Sequence, residues 1–306
     1  MDISRILIVG AGELGTALGG YLRTNGAEVI FWDANRSKVS DTHPLYEIVP
    51  LVNFVFLCVP SWAIRSVLSD AASALRSQTV VASFSKGIDS SLGYTTGELL
   101  PGLLPKHQPF VVVGGPMLAA EIAAGHRAAA VFASPDDAAA GSVAALFRSG
   151  VFMAEVSRDA VSVSLAGVLK NIYAISLGIA DGLELDGNAK GWIVSRAVNE
   201  MLGIAEALGA DKKIILGTAG LVDFVATAYS PYSRNREVGD EIVKNGKCDL
   251  KGEGTMSLPP LIVRLGLRAA EFALLNAIKN IVIDCEPAKT IVDAYFAAKD
   301  HAQRRD

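Results

Sequence analysis

The feature that most constrains the fold of this chain is a glycine turn near its start. The run Ile6-Leu7-Ile8-Val9 leads into Gly10-Ala11-Gly12-Glu13-Leu14-Gly15 and then into the helical stretch Thr16–Thr24. A bare pattern of three glycines is common by chance, but a strand before it and a helix after it are what a dinucleotide-binding turn needs. Gly10 permits the tight turn, Gly12 lets backbone approach a pyrophosphate, and Gly15 lets the helix pack on the strand. The phosphates would lie at the positive end of a helix beginning near Leu14, among unpaired N–H groups. The second strand ends at Trp32-Asp33, about 20 residues beyond the turn, where a carboxylate accepts both hydroxyls of an adenosine ribose. Asp33 tilts the choice toward NAD by repelling a 2′-phosphate, while Arg36 is close enough in sequence to serve that phosphate, so NADP stays open.

From Arg5 onward, short β-rich runs alternate with helical stretches: Arg5–Val9, Glu28–Trp32, Phe54–Val59, Thr79–Phe84 and Phe110–Val113. That alternation predicts a parallel sheet built from βαβ units. Ala128–Ala133 and Val151–Ala154 are candidate further strands at its edge. After Ser157 apolar residues recur at helical spacing through Val161–Ala180, Gly191–Leu208 and Leu258–Ile281. Gly209 and the pair Pro259-Pro260 read as helix punctuation. The expected architecture is an α/β Rossmann-like doubly wound sheet over residues 1–156, followed by an all-α domain over residues 157–306.

The net charge of −4 offers no broad basic field for nucleic acid or anionic lipid, so any anion must be caught locally. Cys58, Cys248 and Cys285 are odd in number and widely separated, which argues for reduced thiols and against a disulfide framework or a paired-cysteine metal site. The longest uncharged stretch, Ile48–Ile64, is broken by Pro50 and Pro60 and is shorter than the ~20 apolar residues of a spanning helix. With no charged-then-apolar leader, the expectation is a soluble cytoplasmic protein without membrane insertion. His43, His107, His126 and His301 fall in no metal or triad spacing, and no metal is expected.

Polar residues in apolar or strand-end settings mark the candidate chemistry. Val59-Pro60-Ser61 and Ser85-Lys86-Gly87 close strands at the edge where doubly wound folds bind ligands. Lys86 there is either a phosphate or substrate contact or a solvated surface lysine. Gly114-Gly115-Pro116-Met117-Leu118-Ala119 follows the fifth strand and opens a helix, bringing backbone N–H groups toward a ligand. Lys170-Asn171 interrupts an apolar helix, so Lys170 is either a proton donor and acceptor with a lowered pKa or a residue that snorkels to the surface. Asp223 and Thr227, four apart, share a helix face, and Ser233-Arg234-Asn235-Arg236 is a donor set suited to phosphate oxygens. Arg236 can equally be ordinary surface charge.

Taken jointly, the segments GAGELGTAL, CVPSWAIRSVL, SKGI, GGPMLAAEIAAG, LAGVLKNIYAISLGIADGL, NAKGWIVSRAVNEM, VDFVATAYSPYSRNREVG and GEGT resemble the bacterial type of NAD(P)-dependent sn-glycerol-3-phosphate dehydrogenases. The resemblance implies interconversion of sn-glycerol 3-phosphate and dihydroxyacetone phosphate, a supply of glycerol 3-phosphate for phospholipid synthesis, and a homodimer. It implies that Lys170 is the general acid/base, that Asp223 orients it and the C2 hydroxyl, and that Lys86 touches both substrate and cofactor. Asn171, Thr227, Ser233, Arg234 and Asn235 would enclose the phosphate end of the substrate, with Gly115 and Met117 beside it. Ala119, Arg234 and Glu253 match positions near the dinucleotide. Three departures mark a diverged member: Met117 in place of a small polar residue, Val222 in place of glycine, and the order Asp186-Gly187-Asn188.

Overall fold

The computed structural model describes residues 4–40, 43–148, 150–246 and 251–303; Cys248 and the side chain of His301 lie outside the described residues. Seven strands form one sheet: β1 (Arg5–Val9), β2 (Glu28–Trp32), β3 (Phe54–Leu57), β4 (Val80–Ser83), β5 (Phe110–Gly114), β6 (Ala128–Ala133) and β7 (Phe152–Ser157). Their order is β2-β1-β3-β4-β5-β6-β7. The inner strands β1, β3, β4, β5 and β6 are nearly continuous in buried apolar residues because both faces of the sheet are covered there. Along β1 the side chains alternate between two cores, Ile6 and Ile8 in one and Leu7 and Val9 in the other.

The five strands of the βαβ run, β1 to β5, pair parallel as expected, while β6 runs antiparallel to β5. The link between them carries only the five-residue helix α5 (Ala119–Ala123). The other helices of this half are α1 (Glu13–Thr24), α2 (Leu45–Ile48), α3 (Ile64–Ala71), α4 (Thr96–Leu103) and α6 (Asp137–Ala145). From β1 the chain moves to β2 on one side and then crosses to β3 on the other. The crevice beyond the C-terminal ends of β1 and β3 is therefore the switch point at which such sheets bind ligands.

The second half contains α7 (Ala160–Gly182), α8 (Gly187–Leu208), α9 (Lys212–Leu216), α10 (Asp223–Tyr229), α11 (Arg234–Asn245), α12 (Glu253–Leu265), α13 (Ala273–Val282) and α14 (Ala288–Gln303). Asp159 begins α7 by accepting from the Ser162 N–H at 2.8 Å, and Gly209 ends α8 with φ 73°. The apolar run expected through Leu258–Ile281 is broken, because Gly266 adopts φ 56° and a 3-10 turn, Gly266–Glu271, separates α12 from α13. Pro259 and Pro260 do not punctuate a helix as expected; both lie inside α12. Leu258, Leu261 and Leu265 anchor that helix in the core. Their burial, roughly 1.5–3 kcal/mol each, is comparable to the roughly 3 kcal/mol that each interior proline costs.

Helix α7 is the axis of the molecule. It has the length and apolarity of a membrane-crossing helix, yet its most apolar stretch is entirely buried within the protein. Its residues share one continuous core with Leu7, Val55 and Val112 of the sheet and with Leu258 and Leu275 of the helical half. It is crossed by α11 at backbone contact distance: a Cβ on Gly239 would lie 2.2 Å from the Ile175 carbonyl oxygen, and one on Gly178 would lie 1.9 Å from that of Arg236.

Candidate active site

The glycine turn sits at the switch point in the conformation its residues predict. Gly10 has φ 106° and donates its N–H to the Trp32 carbonyl at 2.8 Å. A Cβ on Gly15 would come within 2.0 Å of the Gly10 carbonyl oxygen, whereas Gly12 faces open space. Gly12 caps α1 without any side chain occupying the first-turn N–H groups, so they remain available to an anion. A groove of about 1290 Å³ opens there, lined among others by Gly12, Glu13, Lys38, Leu118, Ala119 and Tyr232. Leu14 packs partly buried against the core under α1. The bare helix end, the side-chain-free Gly12 and the groove fit the pyrophosphate of a dinucleotide. Asp33 closes the far end of the turn, accepting from the Ala11 N–H on Oδ2 and from the Asn35 N–H on Oδ1, each at 2.8 Å.

The end of β4 and two helices of the second half bring two lysines to one carboxylate. Lys86 follows β4 and donates from Nζ to the Gly115 carbonyl and to Asp223 Oδ2, both at 2.7 Å. Lys170, one face of α7, donates to Thr227 Oγ1 at 3.0 Å and lies 3.1 Å from Asp223 Oδ1. Asp223 and Thr227 share the inner face of α10 and are 2% and 3% exposed. Lys170 therefore does not snorkel; it is held inside against α10. Burial drives its pKa down to about 8, with the neighbouring Lys86 ammonium pushing the same way and Asp223 opposing both. Burial alone would raise the Asp223 carboxyl, but the ammoniums of Lys170 and Lys86 outweigh it and hold the group below its ordinary value.

A second layer ties this cluster in place. Asn171 donates to the Lys86 carbonyl at 3.1 Å, Asn235 donates to Asn171 Oδ1 at 2.9 Å, and the Gly254 N–H donates to Asn235 Oδ1 at 3.0 Å. Glu253, at the first turn of α12, accepts from the Ser61 N–H at 2.8 Å and from its hydroxyl at 2.7 Å. Burial pushes the Glu253 carboxyl above its ordinary value, against the pull of those two bonds. Ser61 is thus more than loop punctuation, since it links the end of β3 to α12.

The Ser233–Arg236 run divides in two. Ser233 caps α11 and Asn235 belongs to the asparagine relay, both buried. Arg234 is exposed and pairs with Glu237 at 2.7 Å. Arg236 is not ordinary surface charge: its guanidinium is bound to Asp181 and to the Ser230 carbonyl. Met117 is buried in the core cluster that also holds Ala17 and Leu18 of α1. Val222 is 45% exposed at the end of a π-helical turn, Thr218–Val222, directly before Asp223. Asp186 caps α8 by accepting from the Ala189 N–H at 2.9 Å. Lys38 and Tyr232 line the groove although neither stands out in the sequence; an isolated lysine and an isolated tyrosine carry no periodic or spacing signal. Among the described residues no cluster of three or more His, Cys, Asp or Glu could hold a metal ion.

Two family models match this chain: the N-terminus of NAD-dependent glycerol-3-phosphate dehydrogenase over residues 36–140 and its C-terminus over residues 159–293. A glycerol-3-phosphate dehydrogenase [NAD(P)+] of Pseudomonas paraeruginosa is 33% identical over 297 residues, covering 90% of this chain and 84% of its own. One from Sphingopyxis alaskensis is 35% identical over 228 residues, 72% of this chain and 68% of its own. The crystal structure of glycerol-3-phosphate dehydrogenase from Coxiella burnetii has the same fold, with a TM-score of 0.88 at 24% identity over 96% of this chain and 99% of that one. The chain belongs to the NAD(P)-dependent glycerol-3-phosphate dehydrogenase family.

Proposed function

We propose that this chain interconverts sn-glycerol 3-phosphate and dihydroxyacetone phosphate with a nicotinamide dinucleotide, supplying glycerol 3-phosphate for phospholipid synthesis in the cytoplasm, as a homodimer. The observation that carries the reading is the pairing of Lys86 and Lys170 on Asp223, with Lys86 at the same edge of the sheet as a glycine turn shaped for phosphates. Residues 1–156 hold the dinucleotide in this reading and residues 157–306 supply most of the substrate side.

Two ammoniums and one carboxylate leave a net positive charge in a desolvated site, which favours a phosphorylated substrate even though the whole chain is acidic. Asn171, Thr227 and Asn235 lie on α7, α10 and α11, Ser233 caps α11 and Arg234 opens it; in this reading they hold the phosphate. When bound, the reduced nicotinamide supplies the hydride that the carbonyl carbon accepts. Lys170 Nζ, an ammonium at neutral pH, donates a hydrogen bond to the C2 oxygen and then its proton as the alkoxide develops. Asp223 holds that Nζ through Oδ1 and stays ionised throughout, because Lys86 remains on Oδ2. In the reverse direction neutral Lys170 accepts the hydroxyl proton. Phosphate contacts remote from C2 convert binding energy into alignment.

Absorbance at the dihydronicotinamide band, followed with dihydroxyacetone phosphate and with its unphosphorylated counterpart, tests the reading. Oxidation of the cofactor only with the phosphorylated ketone is expected; equal rates with both would refute the phosphate site.

A further inference from the structure

We infer that Ser61 is a positioning residue: through Glu253 it fixes the turn that carries Lys86, and with it the distance of the Lys86 ammonium from Asp223 and Lys170. The inference rests on the reading of Lys170 as the proton carrier. Ser61 is 4% exposed and meets both oxygens of the Glu253 carboxylate, giving its N–H to Oε1 at 2.8 Å and its hydroxyl to Oε2 at 2.7 Å. A carboxylate taken this far out of water needs donors, and Ser61 supplies one to each oxygen. The backbone after Lys86 lies directly on the pair, since a Cβ on Gly87 would come within 2.0 Å of Ser61 Oγ and 2.2 Å of Glu253 Oε2.

The same turns of α12 hold the neighbours of Gly87. Asn171, tied through Asn235 to the Gly254 N–H, donates to the Lys86 carbonyl, and the Ile88 N–H donates to the buried Ser257 Oγ at 3.2 Å. The Lys86 stem runs along α7, where a Cβ on Gly167 would lie 3.2 Å from its Cγ. Residues 86, 87 and 88 are therefore each moored to α7 or to the start of α12, and Ser61 fastens that start to the end of β3. From this mooring Lys86 Nζ reaches Asp223 Oδ2 at 2.7 Å. Lys86 and Asp223 are the charged groups that bear on Lys170, the first pushing its pKa down and the second up. A retreat of Lys86 would weaken the repulsion, leave Asp223 to Lys170 and admit water, and all three effects favour the Lys170 ammonium.

The test is the pH profile of kcat/KM for dihydroxyacetone phosphate reduction at saturating reduced dinucleotide, with thermal melting run beside it. Ser61→Ala removes the hydroxyl and keeps the N–H. The pH at which its kcat/KM falls should lie above the native value of about 8. The displacement should be about half a pH unit or more, because a charge within ~4–6 Å moves a titrating group by about 1–3 pH units. Ser61→Cys, nearly the same size with a weak donor, should move the profile the same way by less, and it serves as the folded variant if the alanine chain does not fold. Arg264→Ala, which loosens α12 at its other end, should lower the melting temperature and leave the midpoint where it is. A midpoint unmoved in the folded Ser61 variants, or moved as far by Arg264→Ala, would overturn the inference. A native profile with no inflection near pH 8 would instead overturn the reading of Lys170 beneath it.

Discussion

At Lys170 two opposed pressures meet on one ammonium: burial strips its water, and Asp223 returns part of the lost stabilisation. The resulting value of about 8 places its titration within reach of physiological pH and fixes the sign of the pH dependence. Reduction of dihydroxyacetone phosphate needs the ammonium, so its kcat/KM should fall as pH rises through about 8. Oxidation of glycerol 3-phosphate needs the free amine and should rise through the same region. Profiles that run parallel in the two directions would remove Lys170 from the proton step. Lys170→Ala should lower turnover by about 10²–10⁴-fold while NADH affinity stays near that of the native chain. The need for partners was legible at Lys170 and Asn171, two polar residues inside an apolar helix. Spacing did not name the partners, because Thr227, Asp223 and Lys86 reach them from distant segments; only the family resemblance points to Asp223.

At the scale of elements, the crossing of α7 and α11 sets the position of the asparagine relay. Gly239 has no room for a methyl group, and the atoms that crowd it are backbone, which cannot rotate out of the way. Gly239→Ala should destabilise the protein by about 2 kcal/mol or more, seen as a lower melting temperature, and should shift Asn235 away from Asn171. An unchanged melting temperature would show that the helices can separate at little cost. The helices α7 and α8 and the strands β1, β2 and β6 are readable from periodicity within a few residues. The course of α12 through Pro259 and Pro260 is not, since local propensity argued for a stop and three buried leucines overruled it. Nor does periodicity carry strand direction, which is why the antiparallel β5–β6 pair appeared only in the fold.

On the scale of the whole molecule, the two halves are held by a common core through α7 and by a clamp at its rim. Arg264 of α12 grips both oxygens of Glu98 on α4 at 2.6 and 2.7 Å and also donates to the Gly93 carbonyl. Burial would raise the Glu98 carboxyl, but Arg264 and the Thr95 bonds hold it below its ordinary value. A depressed carboxyl stabilises the folded state above its ordinary pKa and loses that contribution as pH falls through the lowered one. Arg264→Ala should therefore cost about 2 kcal/mol near neutrality and make the acid-side loss of stability shallower. Urea unfolding at several pH values checks both; a constant difference between native and variant across pH would exclude the clamp as its source.

The sequence by itself determined the order of elements, the shape of the glycine turn and the residue types that the chemistry requires, because each depends on neighbours a few positions away. Tertiary structure alone decided which of those residues meet. Lys86, Lys170 and Asp223 come from the segment after β4, from α7 and from α10, and only folding removes enough water from Lys170 to bring its pKa down. The Ser233–Arg236 run shows the same division within four positions: chain order makes them neighbours, while packing buries Asn235, ties Arg236 to Asp181 and leaves Arg234 at the surface. Burial and desolvation belong to the whole fold, and they separate a proton-transferring lysine from an ordinary surface one.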